Sequence, residues 1–300
     1  PTHRARPGRR FRRLARRCWP GPVTLVLDDE HPDSLVRQLP AKVQQLVVPN
    51  RTIGLRVPAH RLILEVLRLM PGPLALTSAH RTGESDAVTA EEVVANLESD
   101  VDLVLDDGRS QFAQPSSVVR VGDDGVQILR AGVVSEATLS RLSSLLILFV
   151  CTGNTCRSPM AEVLARKQLA DAVGCGVDDL EDRGIIVMSA GISAMAGGGP
   201  TAEAVAVIAD RGLDLASHVS QPVSDRLVRH ADLILAMTHG HRHAIVSHWP
   251  EAAERTFVLG DEVDVADPIG GPRELYRQCA DQIDAAIRQR LEEFKLIKTS

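Results

Sequence analysis

Leu145 to Val150 is an unbroken apolar run that stops at Cys151-Thr152-Gly153-Asn154-Thr155-Cys156-Arg157-Ser158, with Pro159 directly behind. A short run of that kind reads as a strand buried on both faces, and the residues after it have to turn the chain into a helix, expected from Ser158. Strands and helices then alternate. A strand is expected at Ile185 to Ser189, a helix at Thr201 to Arg211, and a strand at Asp232 to Met237. A helix near His241, a strand at Thr256 to Leu259 and a terminal helix from Arg273 complete the series. Such an order predicts a doubly wound parallel α/β sheet, which binds ligands beyond the carboxyl ends of its strands. Cys151 stands at one of those ends.

The chain has 300 residues, which suits about two domains. Ser135 to Ser144 is short, polar and helix-capable, so the boundary is placed near residue 144, giving 1–144 and 145–300. In the first half, turn signals at Trp19-Pro20-Gly21-Pro22, Pro71-Gly72-Pro73, Asp106-Asp107-Gly108 and Asp123-Asp124-Gly125 bracket β-rich runs at Val23 to Leu27, Ile53 to Val57 and Val126 to Leu129. Between them, Arg61 to Met70 sets Leu62, Val66 and Leu69 on one helical face, and Thr89 caps a helix through Leu97. The first half is therefore also mixed α/β.

Charged residues make up 24% of the chain and no apolar run approaches the roughly 18 residues of a membrane span, so no membrane partner is expected. A net charge of −5, from 34 basic and 39 acidic residues, excludes a broadly basic nucleic-acid binder. Eight arginines nevertheless crowd the first seventeen positions: Arg4, Arg6, Arg9, Arg10, Arg12, Arg13, Arg16 and Arg17. They read as the solvated face of a helix, with a transit peptide or an RNA-contacting arm as the alternatives. Five cysteines, an odd and irregularly spaced set, point to a reducing cytoplasm and reactive thiols over a disulfide framework. The first methionine is Met70, and the chain is read as a fragment or a processed product.

The spacing Cys-x5-Arg-Ser suits phosphate chemistry. Five intervening residues let the backbone curl until its N–H groups face three phosphoryl oxygens, and the arginine closes the ring with a bidentate fork. The helix behind adds its positive end. These donors also favour a thiolate, placed beneath the phosphorus for in-line attack. Expelling a poor leaving group calls for a general acid on a nearby loop, and Asp267-Pro268, between Val265 and Ile269, fits.

From Leu145 to about Lys295 the sequence resembles the low-molecular-weight protein tyrosine phosphatase family, on its Cys-x5-Arg-Ser loop and its late Asp-Pro. The resemblance implies Cys151 as nucleophile through a phosphocysteine, Arg157 as phosphate clamp and Asp267 as acid and then base. Asn154 and Ser158 match positions that hold the loop and thiolate, and His218 matches a supporting histidine. Thr152, Gly153, Asn154, Thr155, Cys156 and Ser158 complete the phosphate-binding loop. Cys156 matches a family cysteine able to form a reversible disulfide with the nucleophile. The implied partner is a phosphorylated protein, and no metal or cofactor is needed. Thr155, Thr238-His239 and Asp267-Pro268-Ile269-Gly270-Gly271 look closer to the protein arginine phosphatase branch, although Ile269 departs from its usual aromatic residue. Arsenate reduction on the same fold is the rival, disfavoured because Cys175 and Cys279 form no relay pair in sequence. His239, His241 and His243, of which the first and last stand at i, i+4 spacing, are assigned to a solvated helix and not to a metal.

Cys18-Trp19-Pro20-Gly21-Pro22-Val23-Thr24-Leu25-Val26-Leu27, Gly54-Leu55-Arg56-Val57-Pro58, Thr77-Ser78-Ala79, Pro115-Ser116-Ser117 and Ile128-Leu129-Arg130-Ala131-Gly132 resemble the later part of the YrdC family, which makes threonylcarbamoyl-AMP for tRNA modification. That implies ATP, threonine and bicarbonate as substrates, with Arg56, Ser78, Ser116 and Arg130 on the ligand side. The family's opening strands and its Lys-x-Arg motif have no counterpart here, and His80 replaces the usual asparagine. The expectation is a nucleotide- or RNA-binding remnant of a synthase domain, the bifunctional activity belonging to a longer parent chain.

Overall fold

A computed structural model describes residues 9–30, 33–80, 86–97, 100–122 and 125–297, and the chain divides into two compact units, Pro1–Ser143 and Ser144–Ser300. Among the described residues no helix is long and apolar enough to cross a membrane.

The first unit comprises α1 (Arg9–Cys18), β1 (Val23–Asp28), α2 (Ala41–Val47), β2 (Thr52–Leu55), α3 (Arg61–Leu69), α4 (Ala90–Leu97), β3 (Ser117–Gly122), β4 (Gly125–Arg130) and α5 (Glu136–Ser143). Its sheet runs β2-β1-β3-β4, with β1 and β3 parallel and both outer pairs antiparallel. Leu14 of α1 and Leu139 of α5 pack with Val23, Leu25, Val119 and Val121 in one buried cluster. The arginine run is therefore only partly a solvated face. Arg13 Nη1 donates to Ser143 O at 2.7 Å and Arg17 Nη1 to Leu142 O at 2.6 Å, two cations satisfying carbonyls at the end of α5, where the helix dipole is negative. Arg4, Arg6, Asp123 and Asp124 lie outside the described residues.

The expected apolar face of α3 is not used. None of its residues is buried, and Leu69 is 88% exposed. β2 ends at Leu55, short of Arg56 and Val57, and β3 is a strand that the sequence pattern did not single out.

The second unit comprises β5 (Leu145–Cys151), α6 (Arg157–Val173), β6 (Ile185–Gly191), α7 (Ala202–Ala209), α8 (Asp225–His230), β7 (Leu233–Ala236), α9 (His239–His248), β8 (Thr256–Val258) and α10 (Arg273–Glu293). The sheet order is β6-β5-β7-β8, and every pair is parallel. The two-residue period of β5 explains why it carries no polar residue. Ile147, Phe149 and Cys151 face α6 and α10, while Leu146, Leu148 and Val150 join Val228 of α8 and Ile245 of α9 on the other side. Thr201 caps α7 by accepting the Ala204 N–H, so that helix begins at Ala202, and it ends at Ala209 instead of Arg211. Helix α8 was not expected; Ser224 caps it in the same way.

Because β5 is buried from both faces, Leu148→Ala is expected to destabilise the second unit by about 2–5 kcal/mol, the usual range for emptying a tightly packed leucine site. Denaturant unfolding of the full chain, with a probe in the second unit, measures this. A loss below about 1 kcal/mol would contradict two-sided burial.

Candidate active site

The loop from Cys151 to Ser158 joins β5 to α6, and backbone contacts tie it down along its length. Cys151 O accepts from Ile192 N at 2.9 Å, Thr152 O from Ser193 N at 3.0 Å, and Thr155 O from Thr201 N at 2.9 Å. β6 ends against the loop at Gly191, where a Cβ would lie 2.4 Å from Thr152 O and 2.9 Å from Asn154 N. Only glycine allows that approach.

Asn154 has φ of 54°, a left-handed conformation that costs energy for a side-chain-bearing residue. Its surroundings hold it there. Nδ2 donates to Ser158 Oγ at 3.0 Å and to Ser189 Oγ at 2.8 Å, Oδ1 accepts from Gln221 N at 2.9 Å, and His218 Nε2 lies 2.9 Å from its carbonyl oxygen. Ser189 in turn donates to Glu162 Oε2 at 2.6 Å. The consequence falls on the sulfur. Asn154 N–H donates to Cys151 Sγ at 3.2 Å, and Ser158 Oγ sits 3.0 Å from it. Ser158 Oγ accepts from Asn154 and donates to Ala190 O at 3.4 Å, which fixes the hydroxyl beside the sulfur.

Arg157, the first residue of α6, is buried. Its Nη1 donates to Val265 O at 3.3 Å and its Nη2 to Asp267 Oδ2. Its Nε is buried without a hydrogen-bond partner among the described residues. An unmet guanidinium donor in a buried position is costly and calls for an acceptor of negative charge. Asp267 Oδ1 accepts from Ile269 N at 3.2 Å and lies 4.0 Å from Cys156 Sγ. Burial first, and the neighbouring Cys151 second, push the Cys156 thiol up to about 11. Burial, and then Cys156, push Cys279 up to about 12, and its Sγ donates to Ala266 O at 3.6 Å. Both stay protonated near neutrality, as donors that brace the Asp267 loop.

Thus Cys151, Thr152, Gly153, Asn154, Thr155, Cys156, Arg157, Ser158, His218 and Asp267 all belong to one connected arrangement. The sequence reading missed Ser189, Glu162, Gln221, Gly191 and Cys279, for which it carries no local signal. It also misassigned His241 to a solvated helix. His241 is 6% exposed, with Nε2 2.8 Å from Thr152 Oγ1 and Nδ1 2.8 Å from Thr238 Oγ1. Burial, then the charge of Arg157, lowers its affinity for a proton. The one available clue was Thr238, a helix-capping residue three positions earlier. His239 instead pairs with Asp264, at 2.7 Å from Nδ1 to Oδ1. Among the described residues no three His, Cys, Asp or Glu side chains are grouped as a metal site.

In the first unit, Arg130 Nε and Nη2 donate to Ser116 O at 3.0 and 2.8 Å, and Ser116 Oγ lies 3.3 Å from Thr24 Oγ1. Arg56 Nε instead donates to Gly21 O at 3.0 Å. Ser78 is exposed, and no hydrogen bond among the described residues joins it to the others. Of the four residues expected on one ligand-binding side, the structure brings Ser116 and Arg130 together.

The family model for low molecular weight phosphotyrosine protein phosphatase matches residues 146–299. The chain belongs to that family. Its second unit is a phosphatase. A protein-arginine-phosphatase of Bacillus subtilis is 40% identical over 154 residues, covering 50% of this chain and 96% of that protein. A probable low molecular weight protein-tyrosine-phosphatase of Ralstonia nicotianae is 35% identical, covering 47% of this chain and 90% of its own. A solved arginine phosphatase from Geobacillus stearothermophilus aligns at 37% identity and a TM-score of 0.43, over 50% of this chain and 93% of that one. Residues 3–132 match the Sua5/YciO/YrdC family model, described as telomere recombination.

Glu162 offers a test of the network behind the loop. Burial raises its carboxyl above the usual carboxylate range, so above that range the folded state holds a proton that the unfolded chain has released. Stability then falls as pH rises through the interval between the two values. Glu162→Gln keeps an acceptor for Ser189 and removes the titration. Urea midpoints at several pH values should show wild type losing stability relative to the variant on going from about pH 4 to pH 7. A constant difference would refute the assignment.

Proposed function

We propose that the second unit hydrolyses phosphorylated arginine side chains in proteins, through a phosphocysteine at Cys151. What chiefly supports this is the buried, unpartnered Nε of Arg157 in the same loop as a sulfur that accepts from Asn154 N–H and lies 3.0 Å from Ser158 Oγ. The Cys151 thiolate attacks phosphorus, an S–P bond forms, and the bond to the leaving group breaks with its electron pair. Asp267, protonated for this step, gives its proton to the leaving nitrogen or oxygen. Water then attacks phosphorus while the Asp267 carboxylate takes its proton. The S–P bond breaks, and inorganic phosphate and the thiolate are released. Arg157 now holds Asp267. A bound phosphoryl group competes for that guanidinium, leaving the carboxyl facing the leaving group.

Four points support the preference for arginine. Thr155 places a polar residue in the loop before Cys156, and Ile269, 62% exposed, follows the Asp-Pro in place of an aromatic ring. The chain has only one Tyr, two Trp and five Phe from which to build aromatic walls. The relative from Bacillus subtilis is named for arginine. Thr155→Ile is expected to raise hydrolysis of tyrosine phosphate relative to arginine phosphate by about tenfold, the scale on which one pocket side chain discriminates. An unchanged ratio overturns the preference. Cys151→Ser should abolish turnover of both, and retained turnover overturns the mechanism.

For the first unit, the match over residues 3–132 and the Arg130–Ser116 pairing favour a nucleotide-binding remnant of a threonylcarbamoyl-AMP synthase. Calorimetry with ATP is expected to show binding that Arg130→Ala weakens, without pyrophosphate release from ATP, threonine and bicarbonate. Turnover would restore the synthase activity to this chain, and absence of binding would remove the nucleotide reading.

A further inference from the structure

α9 starts beside the phosphate loop because β7 pairs with β5. Val150 is opposite Ala236, and Met237 N donates to Val150 O at 2.9 Å. In the first turn of α9, His241 reaches across with both ring nitrogens engaged, on Thr152 Oγ1 and Thr238 Oγ1. Capping of the helix does not require this ring. Thr238 Oγ1 accepts the backbone N–H of residue 241 at 3.1 Å, a bond that any side chain there would permit. The ring is nevertheless buried, while its partner Thr152 is exposed at the loop rim.

We propose that His241 is a positioning residue for phosphate capture: by gripping Thr152 Oγ1 it fixes the first peptide of the loop with its N–H turned inward. The inference rests on the phosphatase reading of the loop. Thr152 is the residue immediately after the nucleophile, and its carbonyl is already held by Ser193 N at 3.0 Å. With Oγ1 held as well, the residue is fastened on both sides and keeps its place at the rim. A neutral ring suits the task, since a charged one would stand against Arg157; Asp264 and Asp267 are the acidic groups whose charge reaches it. No other element supplies the second fastening among the described contacts of Thr152.

A double-mutant cycle read by calorimetry with inorganic phosphate separates this role from a structural one. Glutamine reaches about as far as Nε2 and keeps a donor for Thr152, whereas asparagine reaches only as far as Nδ1 and keeps the Thr238 side alone. His241→Asn and His241→Ala are expected to weaken phosphate binding about five- to tenfold, the worth of one well-placed hydrogen bond. His241→Gln should stay within about twofold of wild type. Thr152→Val, on an exposed side chain that folding does not depend on, should weaken binding as much, and the double variant Thr152→Val with His241→Asn no further. Additive losses, or equal losses in His241→Gln and His241→Asn, overturn the proposal. Wild type that binds phosphate but hydrolyses neither arginine phosphate nor p-nitrophenyl phosphate would overturn the phosphatase mechanism and leave this inference about the loop standing; wild type that binds none overturns both.

Discussion

A loop that turns its peptide N–H groups inward pushes their dipoles together, and it holds that shape only if its surroundings supply more stabilisation than the crowding costs. Here Asn154 carries that burden. One left-handed residue places an N–H against the Cys151 sulfur, and its side chain and carbonyl are bonded to Ser158, Ser189, Gln221 and His218. These four partners sit on three different segments: Ser158 at the start of α6, Ser189 in β6, and His218 and Gln221 in the stretch after α7. The setting of the Cys151 sulfur is thus maintained by the tertiary fold and not by the loop itself.

The same logic governs Arg157. A buried guanidinium at a helix start is surrounded by positive partial charge, an expensive position unless an anion arrives. Asp267 answers part of that demand and Val265 O another part, while Nε is left unmet. Arg157 and Asp267 therefore hold each other in register, and in the proposed reaction a captured phosphoryl group would take the place of that carboxylate on the guanidinium. The protonated thiols of Cys156 and Cys279 fit this electrostatic scheme, because two more negative charges in the same enclosure would oppose both substrate and nucleophile.

The two units use their sequences differently. In the second, β5 is read on both faces, and each of its apolar residues joins a buried cluster. In the first, α2, α3 and α4 contain no buried residue, and Leu69, Leu76, Leu103 and Phe112 stay exposed. Regular apolar spacing on α3 did not translate into burial, because helical periodicity states which residues share a face and not whether anything covers it. The arginines of α1 show the converse. Their composition suggested solvent, yet two of them satisfy carbonyls that end a helix more than a hundred residues away in sequence.

Sequence alone determined the parallel order of the second unit, the loop at the end of its first strand, and the candidate residues Cys151, Arg157 and Asp267 that the fold brings to one place. Those features depend on short-range patterns: an apolar run, a seven-residue spacing from Cys151 to Ser158, an Asp-Pro turn. What the sequence could not determine was which distant groups hold the loop in shape. Ser189, Gln221 and Glu162 look like ordinary strand, loop and helix residues, and His241 like one histidine among several on a polar helix. Their roles exist only because the sheet order places β6 and β7 on either side of β5, so that the strand ends and the N-terminus of α9 converge on one loop. Hydrogen bonds reach about 3 Å and are blind to chain separation; the tertiary structure decided which of these polar atoms would come within that distance.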